Sequence, residues 1–129
     1  NTKLTGEWRN TSILPIVFPT HMYVLAPDHL WYLSLRPRGV GVVDVRFGVA
    51  IAPEVDAMLT DAAERAAWIR DLVAFFEHVN GEDRHVVEGI YAGSRSSFAS
   101  PGQLSWLERE IHDFQKYLAQ RLAPDTQRG

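Results

Sequence analysis

The chain has 129 residues, 46% of them hydrophobic and 22% charged, with a formal net charge of -3 and no cysteine. This length and composition are those of one ordinary globular domain, and the slightly acidic balance argues against a nucleic-acid binder, which would present a basic face. The missing cysteines exclude disulfides, zinc fingers, thiol nucleophiles and a Cys-ligated iron-sulfur cluster within these residues. No apolar run approaches the length of a membrane span and no charged-then-apolar leader is read. The absence of cysteine fits a cytoplasmic protein, which is the expectation.

The first half reads as strands. Ser12 to Phe18 is a short apolar run ending at Pro19, and Thr20 to Leu25 follows, closed by Ala26-Pro27-Asp28. His29 to Leu35 is aromatic and aliphatic and stops at Arg36-Pro37-Arg38-Gly39, while Val40 to Ala52 is β-branched and stops at Pro53. Turn residues at these intervals, with no helical period between them, predict an antiparallel meander.

The second half reads as helices. Asp61 to Val79 places Ile69, Leu72, Val73, Phe76 and Val79 on one stripe, with Thr60 and Asp61 as caps. Asn80-Gly81 punctuates the chain, and a second, shorter helix is predicted from about Glu82 to Ala92, ending at Gly93. After a Ser-rich loop, Ser105-Trp106-Leu107-Glu108 has the form of a capping box. The helix behind it carries Leu107, Ile111, Phe114 and Leu118 on one face, and the tail from Pro124 is expected to fray. Strands followed by helices give an α+β domain with helices on one face of an antiparallel sheet.

The stretch around Asp83 carries the chemistry. At 100° per residue Asp83 falls in the middle of the arc formed by Val86, Val87, Ile90 and Tyr91, while Arg84, His85 and Glu88 fall opposite. If that arc faces the core, a carboxylate faces it too, and an ionised carboxylate in apolar surroundings costs several kcal/mol unless compensated. A metal ion, a buried cation, or backbone N–H groups at the helix start could each compensate; the last makes Asp83 an ordinary acidic residue at a helix N-terminus.

Val79-Asn80-x-Glu82-Asp83, then Glu88, Gly93 with Ser94-Arg95-Ser96, Gly102-Gln103-Leu104-Ser105, Glu108 and Phe114 together resemble the C-terminal end of ring-hydroxylating Rieske oxygenase α subunits. Phe18-Pro19-Thr20 and Leu35-Arg36-Pro37 fit the same family, so that the resemblance runs from about Ile13 to Leu122. One departure is Ile90, where the family commonly has Gln. The resemblance implies a helix-grip (START-like) catalytic domain, incomplete here: a sheet curls around a cavity and a C-terminal helix closes it. It implies mononuclear Fe(II) held by two His and one carboxylate, a facial triad with open positions for O2. The carboxylate matches Asp83. The His pair and the 2Fe-2S Rieske cluster would belong to upstream residues, absent from a chain that opens at Asn1 without an initiator Met. It further implies a small organic, aromatic substrate to be hydroxylated or demethylated, a reductase and in some members a ferredoxin as electron donors, and a homotrimer of the complete subunit. The chain alone, with one ligand of three, is expected to be inactive.

Phe76 and Val79 read first as core residues and, by the resemblance, as walls of an apolar substrate pocket beside the metal. The pairs His78 with Glu82 and His85 with Glu88 share helix faces, where solvated surface is the plain reading, and His21 and His29 have no partner evident in sequence. Trp8, Trp31, Trp68 and Trp106 read as packing residues, and Ser94-Arg95-Ser96-Ser97 as a solvated turn. Two rivals remain: a non-enzymatic carrier of apolar ligands with a closed cavity and Asp83 turned to solvent or backbone, and a structural subunit with no cavity.

Overall fold

The computed structural model describes residues 3–123. Four strands form one antiparallel sheet in sequence order: β1 (Ile16–Val17), β2 (His21–Leu25), β3 (His29–Gly39) and β4 (Val42–Ile51). The expected meander is present, with different strand limits. Only Ile16 and Val17 of the first apolar run are in a strand, helped by an isolated bridge between Ile13 and Leu25. β3 does not stop at Leu35 but continues through Pro37 to Gly39, with an irregularity in the pairing with β4 between Pro37 and Gly39. A proline lacks the N–H a ladder needs, and a bulge is where a sheet tolerates that loss.

The β3–β4 hairpin turns at Gly41, whose φ of 71° lies in the left-handed region that favours glycine. Its register sets Trp31 opposite Val49, Leu33 opposite Phe47 and Leu35 opposite Val45. Residues two apart on a strand, and partners across it, share a face. One face of the hairpin is therefore lined by Trp31, Leu33, Leu35, Val45, Phe47 and Val49.

A short helix, α1 (Pro53–Met58), follows β4 with Pro53 in its first turn; it was not expected from the sequence. Arg65 and Asp56 form an ion pair, and Lys3 Nζ meets Glu54 at 2.8 Å, holding the chain's start to α1. The long helix α2 (Ala62–Ser94) starts at Asp61, whose carboxylate accepts the Glu64 N–H at 2.8 Å. α2 is continuous, which corrects the predicted break at Asn80-Gly81. A helical glycine costs only about 1 kcal/mol relative to alanine, and thirty-odd residues of otherwise ordinary helix formers outweigh one such site. After a loop, the Ser105–Glu108 capping box is present on a 3-10 turn (Trp106–Glu108), from which α3 (Arg109–Leu122) runs. The tail from Pro124 lies outside the described residues.

The core sits where α2 meets the sheet. Phe76, 5% exposed, is the one buried hydrophobic residue among those described. Its ring stacks on Trp31 with centroids 4.7 Å apart and planes 10° from parallel, and touches His29 at 5.4 Å and Phe75 at 5.2 Å. α3 reaches the rest of the chain through Phe114 and Tyr117, both against Phe18. The accessible surface is 10641 Å², whereas a compact monomer of this mass exposes about 6,900 Å². The sheet is thus open: no helix closes it into a cavity among the described residues.

Candidate metal and substrate site

Asp83 lies 21 positions into α2 from Ala62, so it is not at a helix start. The N-terminal reading of this carboxylate fails with the break that would have created it. Counted continuously along α2, Asp83 comes seven residues, about two turns, after Phe76 and within about 20° of the same azimuth. Phe76 faces the sheet, so Asp83 is on the sheet-facing stripe of the helix.

α2 touches the hairpin again further along. The Tyr91 ring rests on Gly41, in the place a Cβ at that position would occupy. Phe76 to Tyr91 spans fifteen residues of helix, about 22 Å, and Trp31 to Gly39 spans eight of strand, about 26 Å. α2 therefore runs alongside the hairpin and is tied to it at two points, with Asp83 between them.

Between those ties the helix is bare. Asp83 is exposed, and so are Val86, Val87 and Ile90 at 58%, 63% and 66%. The expectation that this apolar arc faces a core is not met in this chain. The facing hairpin residues Val43 and Val45 are exposed as well, because nothing described fills the space. Asp83 is not buried by apolar groups here; it is one charge on an uncovered apolar seam. The Trp31 indole nitrogen and the Asn80 amide nitrogen are buried along the same seam without hydrogen-bond partners.

Phe76 is held in the Trp31 stack, which makes it the end of the seam, and half-buried Val79 is the next residue along. The histidines are placed elsewhere. His29 Nδ1 pairs with Asp28 at 2.8 Å, and His21 lies 3.1 Å from the Thr20 hydroxyl and 3.4 Å from the Ser34 hydroxyl. These partners are sequence neighbours or cross-strand neighbours, so only the sheet register could have revealed the second. An open depression lined by Glu77, His78, Gly81, Glu82, His85 and Val86 lies mostly on the other side of α2 from Asp83. No group of three or more His, Cys, Asp or Glu converges among the described residues. Asp83 can thus supply one hard oxygen donor to an iron, the ligand type such an ion accepts, and a full ligand set would need further groups. No described helix is long and apolar enough to cross a membrane.

An open antiparallel sheet with helices behind it, and a carboxylate on the helix face that looks toward the sheet, defines an α+β domain with a candidate oxygen-donor site. The family model for the ring-hydroxylating α subunit (catalytic domain) matches residues 3–124. The chain belongs to that oxygenase family, whose members generally hold non-haem iron. No curated protein and no solved structure gives a significant match.

Proposed function

We propose that this chain is the C-terminal portion of the catalytic domain of a Rieske-type non-haem iron oxygenase, and that Asp83 is the carboxylate ligand of its mononuclear Fe(II). The observation that carries the reading is the position of Asp83: mid-helix, on the sheet-facing stripe, between the Phe76 and Tyr91 ties, on a seam that is otherwise apolar. A carboxylate there has no capping role. Once the seam is covered by further chain, an uncompensated charge would cost several kcal/mol, and a bound cation removes that cost.

When bound, the iron supplies O2 activation, for hydroxylation or demethylation of an organic, aromatic substrate. The chain's own part is to hold and to shape. Asp83 contributes one anionic oxygen from a rigid helix. Two imidazoles from upstream residues would complete the triad, leaving positions open. Val79, one turn before Asp83, and the Phe76 ring behind it give one end of the seam an apolar wall. Electrons would come from a reductase, directly or through a ferredoxin, by way of the 2Fe-2S Rieske cluster of the upstream part, in a homotrimer of complete subunits working in the cytoplasm.

The test is Asp83→Ala in the complete subunit, with iron counted by mass spectrometry and the cluster followed by its own absorbance. The variant should lose one iron per subunit and all turnover while the cluster spectrum stays unchanged. Retention of that iron at full stoichiometry would end the assignment. Tightly held, stoichiometric iron on the present 129 residues alone would also contradict it.

A further inference from the structure

We infer that Asn80 is a positioning residue, the hydrogen-bond donor that holds the Asp83 carboxylate in its metal-binding orientation; this rests on the iron-ligand assignment proposed above. The Asn80 amide nitrogen is buried and has no hydrogen-bond partner. A buried donor without an acceptor is unfavourable, and native structures keep few of them. Asparagine is also a poor residue for a helix interior and is favoured at caps instead. Asn80 lies well inside α2 and caps nothing. Both costs are explained if the completed site brings an acceptor to this amide.

The acceptor within reach is Asp83. On a helix the neighbours of a side chain are those three and four residues away. For Asp83 these are Val79, Asn80, Val86 and Val87, three that cannot donate and one that can. Asn80 and Asp83 flank the azimuth of Phe76, about 40° to one side and about 20° to the other, so both are on the sheet-facing stripe. Helical side chains lean toward the N-terminus, which brings the Asp83 carboxylate back over the turn that carries Asn80. The Trp31 indole N–H, the other buried donor without a partner on the seam, belongs to the Phe76 end, about two turns away. A carboxylate that gives one oxygen to a metal ion keeps the other free to accept. A bond from the Asn80 amide to that second oxygen fixes one orientation of Asp83, binding through a single oxygen. Asn80 touches no reacting atom; it acts through Asp83.

The experiment uses the complete subunit as Asn80→Leu, which keeps the size and deletes the donor, and as Asn80→Gln, which keeps an amide. Fe(II) affinity is measured by competition with a chelator. Ligand geometry is read by electron paramagnetic resonance of the ferrous site with nitric oxide, the Rieske cluster being oxidised and silent. Asn80→Leu should bind Fe(II) roughly ten- to a hundred-fold more weakly, with a changed nitric oxide signal. Its melting temperature without iron should hold or rise, because an unpaired buried amide has gone. Asn80→Gln should recover part of the affinity. Unchanged affinity and signal in Asn80→Leu overturn the inference. So does weaker iron with a lowered melting temperature that Asn80→Gln does not relieve, since that is the mark of packing alone. Iron retained in Asp83→Ala would sink the ligand assignment itself, whatever Asn80 does. Iron lost from Asp83→Ala beside unchanged affinity in Asn80→Leu would sink only the role of Asn80.

Discussion

Trp31 and Phe76 lie face to face, 4.7 Å between ring centroids, and this stack is the buried one of the two points at which the long helix is fastened to the sheet. Every other position along the seam is half-covered or bare. The contact therefore carries a larger share of the helix–sheet attachment than a single pair would in a densely packed domain.

Phe76→Ala should lower the unfolding free energy by about 3–5 kcal/mol, the usual cost of emptying a buried aromatic site. Urea unfolding followed by far-ultraviolet circular dichroism reads this directly. A loss below about 1 kcal/mol would mean that α2 is held to the sheet by something other than this ring.

Asp61→Ala removes the acceptor that satisfies the Glu64 N–H at the start of α2. The expected loss is about 1 kcal/mol, with Asp61→Asn or Asp61→Ser nearly neutral because either side chain can accept the same bond. The comparison of the three melting curves separates the cap from any effect of charge.

Gly41→Ala meets two obstacles at once: a positive φ, and the Tyr91 ring where the new methyl group would sit. In Tyr91→Ala the second obstacle is gone and the first remains. A double-mutant cycle should return a coupling between the two positions of about 1 kcal/mol or more, whereas additivity would show that they do not touch.

The Lys3–Glu54 pair supplies a pH signature. The hydrogen bond from Lys3, then one from the backbone N–H of Glu54 itself, and after these the Lys3 charge hold the Glu54 carboxyl below the usual glutamate range; the same side-chain bond and then the charge of Glu54 raise the Lys3 ammonium above its ordinary value. A lowered carboxylate stabilises the fold above its unfolded pKa, and that contribution fades as the pH drops through the folded value. A raised ammonium stabilises it below the unfolded lysine pKa, and that contribution fades as the pH climbs through the folded value. Lys3→Ala should therefore flatten the pH dependence of the melting temperature at the acid end and at the alkaline end. Because the lysine end of the pair is open to water, the change should be small and should shrink further in 0.5 M salt.

Much of this architecture was legible in the residues. The order of strands and helices, the cap at Asp61 and the box at Ser105 and Glu108 all rest on short-range chemistry, and short-range chemistry is what a sequence displays. Asn80-Gly81 misled for the same reason. The pair is a strong turn signal between strands, but inside a helix with ordinary formers on both sides the backbone ladder simply continues. Pro37 misled likewise, since only the register with β4 reveals the bulge that accommodates it. For the site, the helical arc around Asp83 could be drawn from sequence alone. Its relation to Phe76 could not, because the false break interrupted the count. That Gly41 meets Tyr91 depends on how a hairpin and a helix fifty residues apart lie together, and no local pattern encodes it.

The unbroken run of α2 through Asn80 and Gly81 makes the helix a lever. Its fulcrum is the Trp31 stack, and its load, the Asp83 carboxylate, rides about 10 Å beyond. A tilt of about 5° at the fulcrum swings that oxygen by about 1 Å, a displacement on the order of what separates productive from unproductive alignment in an enzyme site. Clamping the far end at the hairpin tip turns a cantilever into a bridge, and a bridge sags far less.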